Sequence, residues 1–265
     1  MFLYLGCERA ARFAIVPGTT PRGVGRFQRG RNATGEAVNT TSSPSGLGPR
    51  WLYLHGFASG PSSYKAVALA EHYAQRGVAL ERLDLRIPSF ERLRLGEMIA
   101  SVRRAIGGEQ ERVVLFGSSL GGLTACRVAE EDPRVCALVL LAPAFRIMER
   151  WRERLGEAGW KAWQTTGWLE TLDYISKTMS RVDFGFAEEA AAIDERSGGF
   201  PDVRVPTLII HGVKDPVVDV ALSRTWSAGK RHVRLVEVDD GHELAASLDR
   251  IKSEADRFLA PLLGV

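Results

Sequence analysis

The chain has 265 residues, of which 45% are hydrophobic and 25% charged, with a formal net charge of +3. These proportions exclude a fibrous, collagen-like or wholly disordered chain and leave room for one large globular domain or two small ones. The charge is unevenly placed: residues 1–50 carry seven arginines against Glu8 and Glu36, and the rest carries 28 basic and 30 acidic side chains.

The stretch from Thr19 to Arg50 is rich in Gly, Pro, Ser, Thr, Asn and Arg and poor in large apolar residues. It cannot bury enough surface to offset its ordering entropy, so residues 1–50 are expected to be a disordered basic extension. An early start codon, an organelle transit peptide and a nucleic-acid-binding arm are the competing readings of its purpose. Its arginines are scattered, and Phe27 is the one aromatic residue among those from Thr19 to Arg50, too few for a stacking platform, so no nucleic-acid partner is expected. The opening Met1-Phe-Leu-Tyr-Leu-Gly-Cys7 lacks a basic start and is too short in apolar residues for a secretory signal. Cys7, Cys126 and Cys136 are odd in number and have no metal-ligand spacing, which points to a reducing cytoplasm. No apolar run approaches the roughly 18 residues of a membrane span.

The folded domain is expected over 51–265. Trp51 to Leu54 reads as a buried strand ending at His55-Gly56, followed by a helix from Tyr64 to Arg76 stopped at Gly77. Val78 to Leu85 is a second strand and Glu91 to Ile106 a second helix. Arg112 to Phe116 is a third strand, which leads through Gly117-Ser-Ser-Leu-Gly-Gly122 into a helix ending near Glu130. Further strands are predicted over Val135–Leu141, Val205–Ile210 and Val233–Val238, with a last helix from about Glu243 to Leu259. Near-continuous apolar strands alternating with helices indicate an α/β fold, a mostly parallel sheet covered on both faces. The segment from Ala144 to Phe200 has helical periodicity and no convincing strand, and it holds Trp151, Trp160, Trp163 and Trp168. It is expected to form a helical cap, about 144–200, with one or two of those rings facing a substrate pocket and the others packing it onto the sheet.

Gly117-Ser118-Ser119-Leu120-Gly121 fits G-x-S-x-G, and its context between an apolar strand and a helix is what gives the pentapeptide weight. Glycines at Gly117 and Gly121 let the turn pack tightly, and the helix N-terminus favours a developing anion at the central Ser119. A serine hydroxyl needs a base. Of five histidines, His72 reads as a surface residue and His232 opens a strand without an evident partner. His55 and His211 end strands at sharp turns, which leaves His242, in Asp239-Asp-Gly-His-Glu243, as the base. Asp215, in His211-Gly-Val-Lys-Asp215, is the candidate orienting acid; Asp219, Asp239 and Asp240 are substitutes, and an Asx turn before Pro216 is the bland alternative. The N–H groups of Leu120 and Phe57 are the candidate oxyanion donors. Asp239, Asp240, His242 and Glu243 lack a second histidine at helical spacing, so no metal is expected.

The four segments His55-Gly-Phe57, Gly117-Ser-Ser-Leu-Gly121, His211-Gly-Val-Lys-Asp215 and Gly241-His242 give the chain from Trp51 to Val265 a resemblance to the α/β-hydrolase superfamily. Within it, Tyr53-Leu-His-Gly-Phe-Ala-Ser-Gly-Pro61, Lys65 and the double serine resemble the YqiA-type bacterial esterases. That resemblance implies hydrolysis of short acyl esters or thioesters without metal or organic cofactor. A thioesterase, acyltransferase or peptidase shares such a triad, and a non-catalytic ligand-binding protein shares the fold. The partner expected is a small hydrophobic acyl ester or thioester; the sequence leaves the oligomeric state open.

Overall fold

The computed structural model describes residues 48–263 apart from Ser197. The expected disordered extension, all but its last three residues, and Cys7 lie outside the described residues. In chain order the elements are β1 (Arg50–Leu54), α1 (Tyr64–Ala74), β2 (Leu80–Leu83), α2 (Leu95–Ile106), β3 (Val113–Ser118), α3 (Leu120–Glu131) and β4 (Val135–Leu141). Next come α4 (Ile147–Thr166), β5 (Trp168–Asp173), β6 (Thr178–Asp183) and α5 (Gly185–Glu195). The chain then re-enters the sheet with β7 (Thr207–Gly212), α6 (Val220–Ser227), β8 (Val233–Val238) and α7 (Leu248–Leu263).

Six strands form a sheet in the order β2-β1-β3-β4-β7-β8, with every pair parallel. Side chains alternate along each strand, so one sequence feeds two cores. Trp51, Tyr53, Val114, Phe116, Val139, Leu208 and Ile210 face one way and pack with Ala66, Leu69 and Tyr73 of α1 and Ile251, Ala255 and Leu259 of α7. Leu52, Leu54, Leu115, Leu138, Leu140 and Ile209 face the other way, toward Met98 and Val102 of α2, Leu123 and Val128 of α3, and the segment inserted after β4. Burial on both faces is why these strands read as unbroken apolar runs.

The inserted segment departs from the expectation in one respect. Between helices α4 and α5 it contains an antiparallel hairpin, β5–β6, paired from Trp168↔Asp183 to Asp173↔Thr178. It is fastened to the sheet domain by charge pairs. Arg94, just before α2, makes a bidentate bond to Asp183 (2.6 and 2.9 Å), Arg127 of α3 meets Asp194 at 2.8 Å, and the Gly96 N–H donates to Glu189. Two further differences lie near the site: α6 is an unpredicted helix capped by Asp219, which accepts from Ala221 N–H at 2.8 Å. The last helix begins at Leu248 rather than Glu243, because Glu243–Ser247 belongs to the loop carrying His242. Among the described residues no helix is long and apolar enough to cross a membrane.

Candidate active site

The parallel sheet brings the loops after β1, β3, β7 and β8 to one edge, the carboxyl ends of the strands, where such folds place their ligands. β3 ends at Ser118 and α3 begins at Leu120, so Ser119 alone turns the chain, at φ 53° and ψ −115°. A non-glycine residue there costs on the order of 1–3 kcal/mol and persists only if its surroundings hold it. They do: Ser119 N–H donates to Leu141 O, and Ser119 O accepts from Gly122, Leu123 and Ala144 N–H. The glycines allow the close packing. A Cβ on Gly121 would lie 2.1 Å from Leu54 O, and one on Gly117 would lie 2.5 Å from Gly121 O.

The three polar side chains singled out from the sequence meet at this edge. His242 Nε2 is 3.0 Å from Ser119 Oγ, and His242 Nδ1 is 2.7 Å from Asp215 Oδ2. Backbone pairing fixes that spacing: Lys214 N–H donates to Asp240 O, and Val213 N–H to Val238 O, so the acid loop and the histidine loop are joined. Asp215 Oδ1 accepts the N–H groups of Val217 and Val218, both at 2.8 Å. The carboxylate is fully buried, which by itself would raise its pKa. Hydrogen bonds from His211 and His242, the charge on His242 and the Val218 N–H outweigh burial and hold it well below the usual carboxylate range.

The substitutes for Asp215 are otherwise engaged. Asp219 caps α6, Asp239 pairs with Lys214 at 2.6 Å, and Asp240 Oδ1 accepts its own loop's Gly241 N–H. The N–H groups of Phe57 and Leu120 donate to no other group among the described residues. Phe57 and Leu120 also line a small cavity of about 10 Å³, with Arg86, Phe90, Leu93 and Met98 among its other walls. Among the described residues no three His, Cys, Asp or Glu side chains converge as a metal site would need.

None of the four cap tryptophans lines that cavity. Trp151 comes nearest, its ring edge-on to Phe57 with centroids 4.8 Å apart. Trp163 is buried within the cap and donates to Val182 O, Trp160 packs on Trp163 and Phe184, and Trp168 lies beneath the Arg181 guanidinium. These three hold the cap together, because a helix-and-hairpin layer needs a core of its own. Among the other histidines, His55 accepts Leu85 N–H on Nε2, and burial pulls its pKa down. His72, expected at the surface, is largely covered, with Nε2 2.9 Å from Asp256 on α7, and His232 binds Val203 O, a partner the sequence did not suggest.

Three contributors were not assigned to the site by the sequence. His211, fully buried, presents Nε2 to Val218 O at 2.9 Å and Asp215 Oδ2 at 3.2 Å, with Ser223 Oγ on Nδ1. Two acceptors at Nε2 require its hydrogen there, so His211 is a second donor to the acid. Its place four residues before Asp215 was the available signal, and the sharp turn explained it too readily. Arg150 of α4 reaches Val217 O at 2.6 Å; burial pulls its guanidinium down to about 10, opposed by Asp215. Lys65, early in α1, is buried with Nζ 3.9 Å from Glu243, and burial likewise lowers it against the pull of Glu243, Asp215 and Asp240.

Solved structures share this architecture. The mouse alpha/beta hydrolase domain-containing protein 10 superposes with a TM-score of 0.66 at 21% identity, covering 83% of this chain and 98% of that one. Est1E from Butyrivibrio proteoclasticus, with ferulic acid bound, gives 0.65 at 21% identity over 83% and 91%. The Pyrococcus furiosus esterase Pf2001 gives 0.57 at 18% over 82% and 85%. These likenesses establish the α/β-hydrolase fold. No curated protein matches the chain. The sequence pattern of UPF0227, an uncharacterised protein family, matches residues 50–257, and the chain belongs to that family.

Proposed function

We propose that the protein is a serine hydrolase that cleaves carboxylic esters or thioesters of small hydrophobic acyl groups through an acyl-enzyme. The observation that carries this reading is the continuous hydrogen-bonded line from Ser119 Oγ through His242 to Asp215, at 3.0 and 2.7 Å. His242 Nε2 takes the Ser119 proton as Oγ attacks the acyl carbon, and Asp215 holds the imidazole tautomer and stabilises the imidazolium. The oxyanion of the tetrahedral intermediate lies between Phe57 N–H and Leu120 N–H, the latter at a helix N-terminus. Collapse expels the alcohol or thiol with the proton from His242. Water, activated by the same base, then releases the acid and restores the serine. The named esterases among the structural likenesses agree with this chemistry.

The test is chemical. Purified protein should turn over p-nitrophenyl acetate, and a fluorophosphonate should label it at one site, mapped by peptide mass spectrometry to Ser119. Labelling on another residue, or no turnover of esters and thioesters, refutes the assignment.

The cavity beside the oxyanion donors, about 10 Å³, holds little more than one water-sized group. Acetyl esters should therefore be preferred to hexanoyl esters. Met98→Ala, which opens the cavity wall, should shift the acetate-to-hexanoate ratio of kcat/KM by at least about tenfold toward hexanoate. The same change should cost about 2–5 kcal/mol of stability, since Met98 is buried. A p-nitrophenyl ester series with a parallel denaturant titration measures both; an unmoved ratio would place the acyl group elsewhere.

A further inference from the structure

We infer that Asp173, on the cap hairpin and remote in sequence from the triad and the oxyanion donors, is a positioning residue for the loop that carries the Phe57 oxyanion donor. The inference rests on the hydrolase reading and specifies what holds one part of that site in place.

The loop needs holding. Ala58, next to Phe57, sits at φ 57°, a left-handed conformation that costs a non-glycine residue free energy unless its surroundings impose it. Two contacts impose it, both from the turn between β5 and β6. Tyr174 N–H donates to Ala58 O at 3.0 Å. The side chain of Ile175 lies directly over Gly60, so closely that a Cβ on Gly60 would stand 2.3 Å from Ile175 Cδ1. Glycine at 60 thus lets the hairpin tip rest on the backbone of the loop.

Asp173 shapes that tip. Its carboxylate is nearly buried and has four acceptor directions to fill. Oδ1 accepts Ile175 N–H at 2.9 Å; Oδ2 accepts Ser176 Oγ–H at 3.0 Å and Arg86 Nη2 at 2.7 Å. The first two bonds close the turn that aims Tyr174 N–H and Ile175 at the loop. The third reaches the segment after β2, where Arg86 lines the acyl cavity and lies over the Phe90 ring at 4.8 Å. Burial opposes ionisation, but the Ile175 N–H, Arg86 and Ser176 hold the carboxyl below its ordinary range, so it works as an anion. One carboxylate therefore ties the cap turn that grips the loop after β1 to the segment after β2.

Its role is geometric: Asp173 meets Arg86 and its own turn, and reaches Phe57 only through Tyr174 and Ile175. Loss of an oxyanion donor typically costs about 10²–10³ in rate, and a donor displaced rather than lost should cost less. Asp173→Ala should lower kcat for p-nitrophenyl acetate by about tenfold to a hundredfold, counted per fluorophosphonate-reactive site, with KM within about twofold. Asp173→Asn keeps an acceptor for Ile175 N–H and should recover most of that loss. Ile175→Ala, at a half-exposed position, removes the weight on Gly60 without touching the ion pair. It should lower kcat severalfold at an unchanged Tm, which keeps the test open if Asp173→Ala does not fold.

Unchanged kcat in both alanine variants overturns the inference, as does a KM increase at constant kcat, or Asp173→Asn no better than Asp173→Ala. If the wild type labels at Ser119 and turns over ester, such failures fall on the clasp alone. A wild type that does neither takes the hydrolase reading and the clasp together.

Discussion

Ser119→Ala should lower kcat for p-nitrophenyl acetate by about 10⁶, the scale on which losing the nucleophile of a serine triad acts. Without Oγ there is no acyl-enzyme, and what remains comes from binding and from the N–H groups of Phe57 and Leu120. The members of such a unit are not additive, so Ser119→Ala/His242→Ala should be no slower than either single variant by more than a small factor. Stability offers an independent reading. Alanine at 119 keeps the Cβ and hence the strain of φ 53°, whereas Ser119→Gly releases it. The glycine variant should be the more stable of the two by about 1–3 kcal/mol in a denaturant titration. Activity retained in Ser119→Ala would overturn the proposed nucleophile. Equal stability of the two variants would overturn the account of a strained turn.

Asp215→Asn should reduce kcat by about 10⁴, and the environment of the carboxylate says why. Val217 and Val218 N–H both donate to Oδ1, so an asparagine carbonyl must take that position and leave its NH₂ facing His242 Nδ1 and His211 Nε2. Toward His242 this inverts the tautomer, moving the hydrogen to Nε2, where it blocks acceptance of the Ser119 proton. Toward His211 it sets two donors against each other between two fully buried side chains, which should cost about 1–3 kcal/mol of stability besides. Asp215→Asn/His211→Phe removes the donor clash and should regain stability without regaining rate. Steady-state kinetics and Tm on the three variants separate the two effects; recovery of rate in the double variant would overturn the tautomer argument.

The strands were legible because burial on both faces writes itself into sequence as apolar runs such as Val113-Val-Leu-Phe116 and Val135-Cys-Ala-Leu-Val-Leu-Leu141. The turn at Ser119 was legible because close backbone approach admits only glycine at 117 and 121. The cap hairpin was not. Its turn, Asp173-Tyr-Ile-Ser-Lys177, has no glycine, proline or Asn-Gly signal, and the positive φ falls on Lys177. Its strands expose Leu172 and Met179, so they lack the clean alternation of a half-buried pair. Helix α6 spans only eight residues, too few for periodicity to speak. The cavity lining was illegible for another reason. It is assembled from the loop after β1, the segment after β2, α2 and the start of α3, and nothing local in Phe90 or Met98 marks the wall of a pocket. The tryptophans drew attention by size, and most of that size is spent inside the cap.

The cap is wired to both halves of the proposed machinery: Arg150 grips the carbonyl of Val217 beside the acid, and the hairpin grips the carbonyl of Ala58 beside the oxyanion donor. Its removal would therefore unsettle catalysis as well as uncover the site. A cap transplanted from a relative could not serve as an interchangeable module, because it would have to bring replacements for both grips. Variation in substrate range within this family is accordingly expected to accumulate in the cavity wall, at positions such as Phe90, Leu93 and Met98, while Arg150, Asp173 and Gly60 change only together with what they hold.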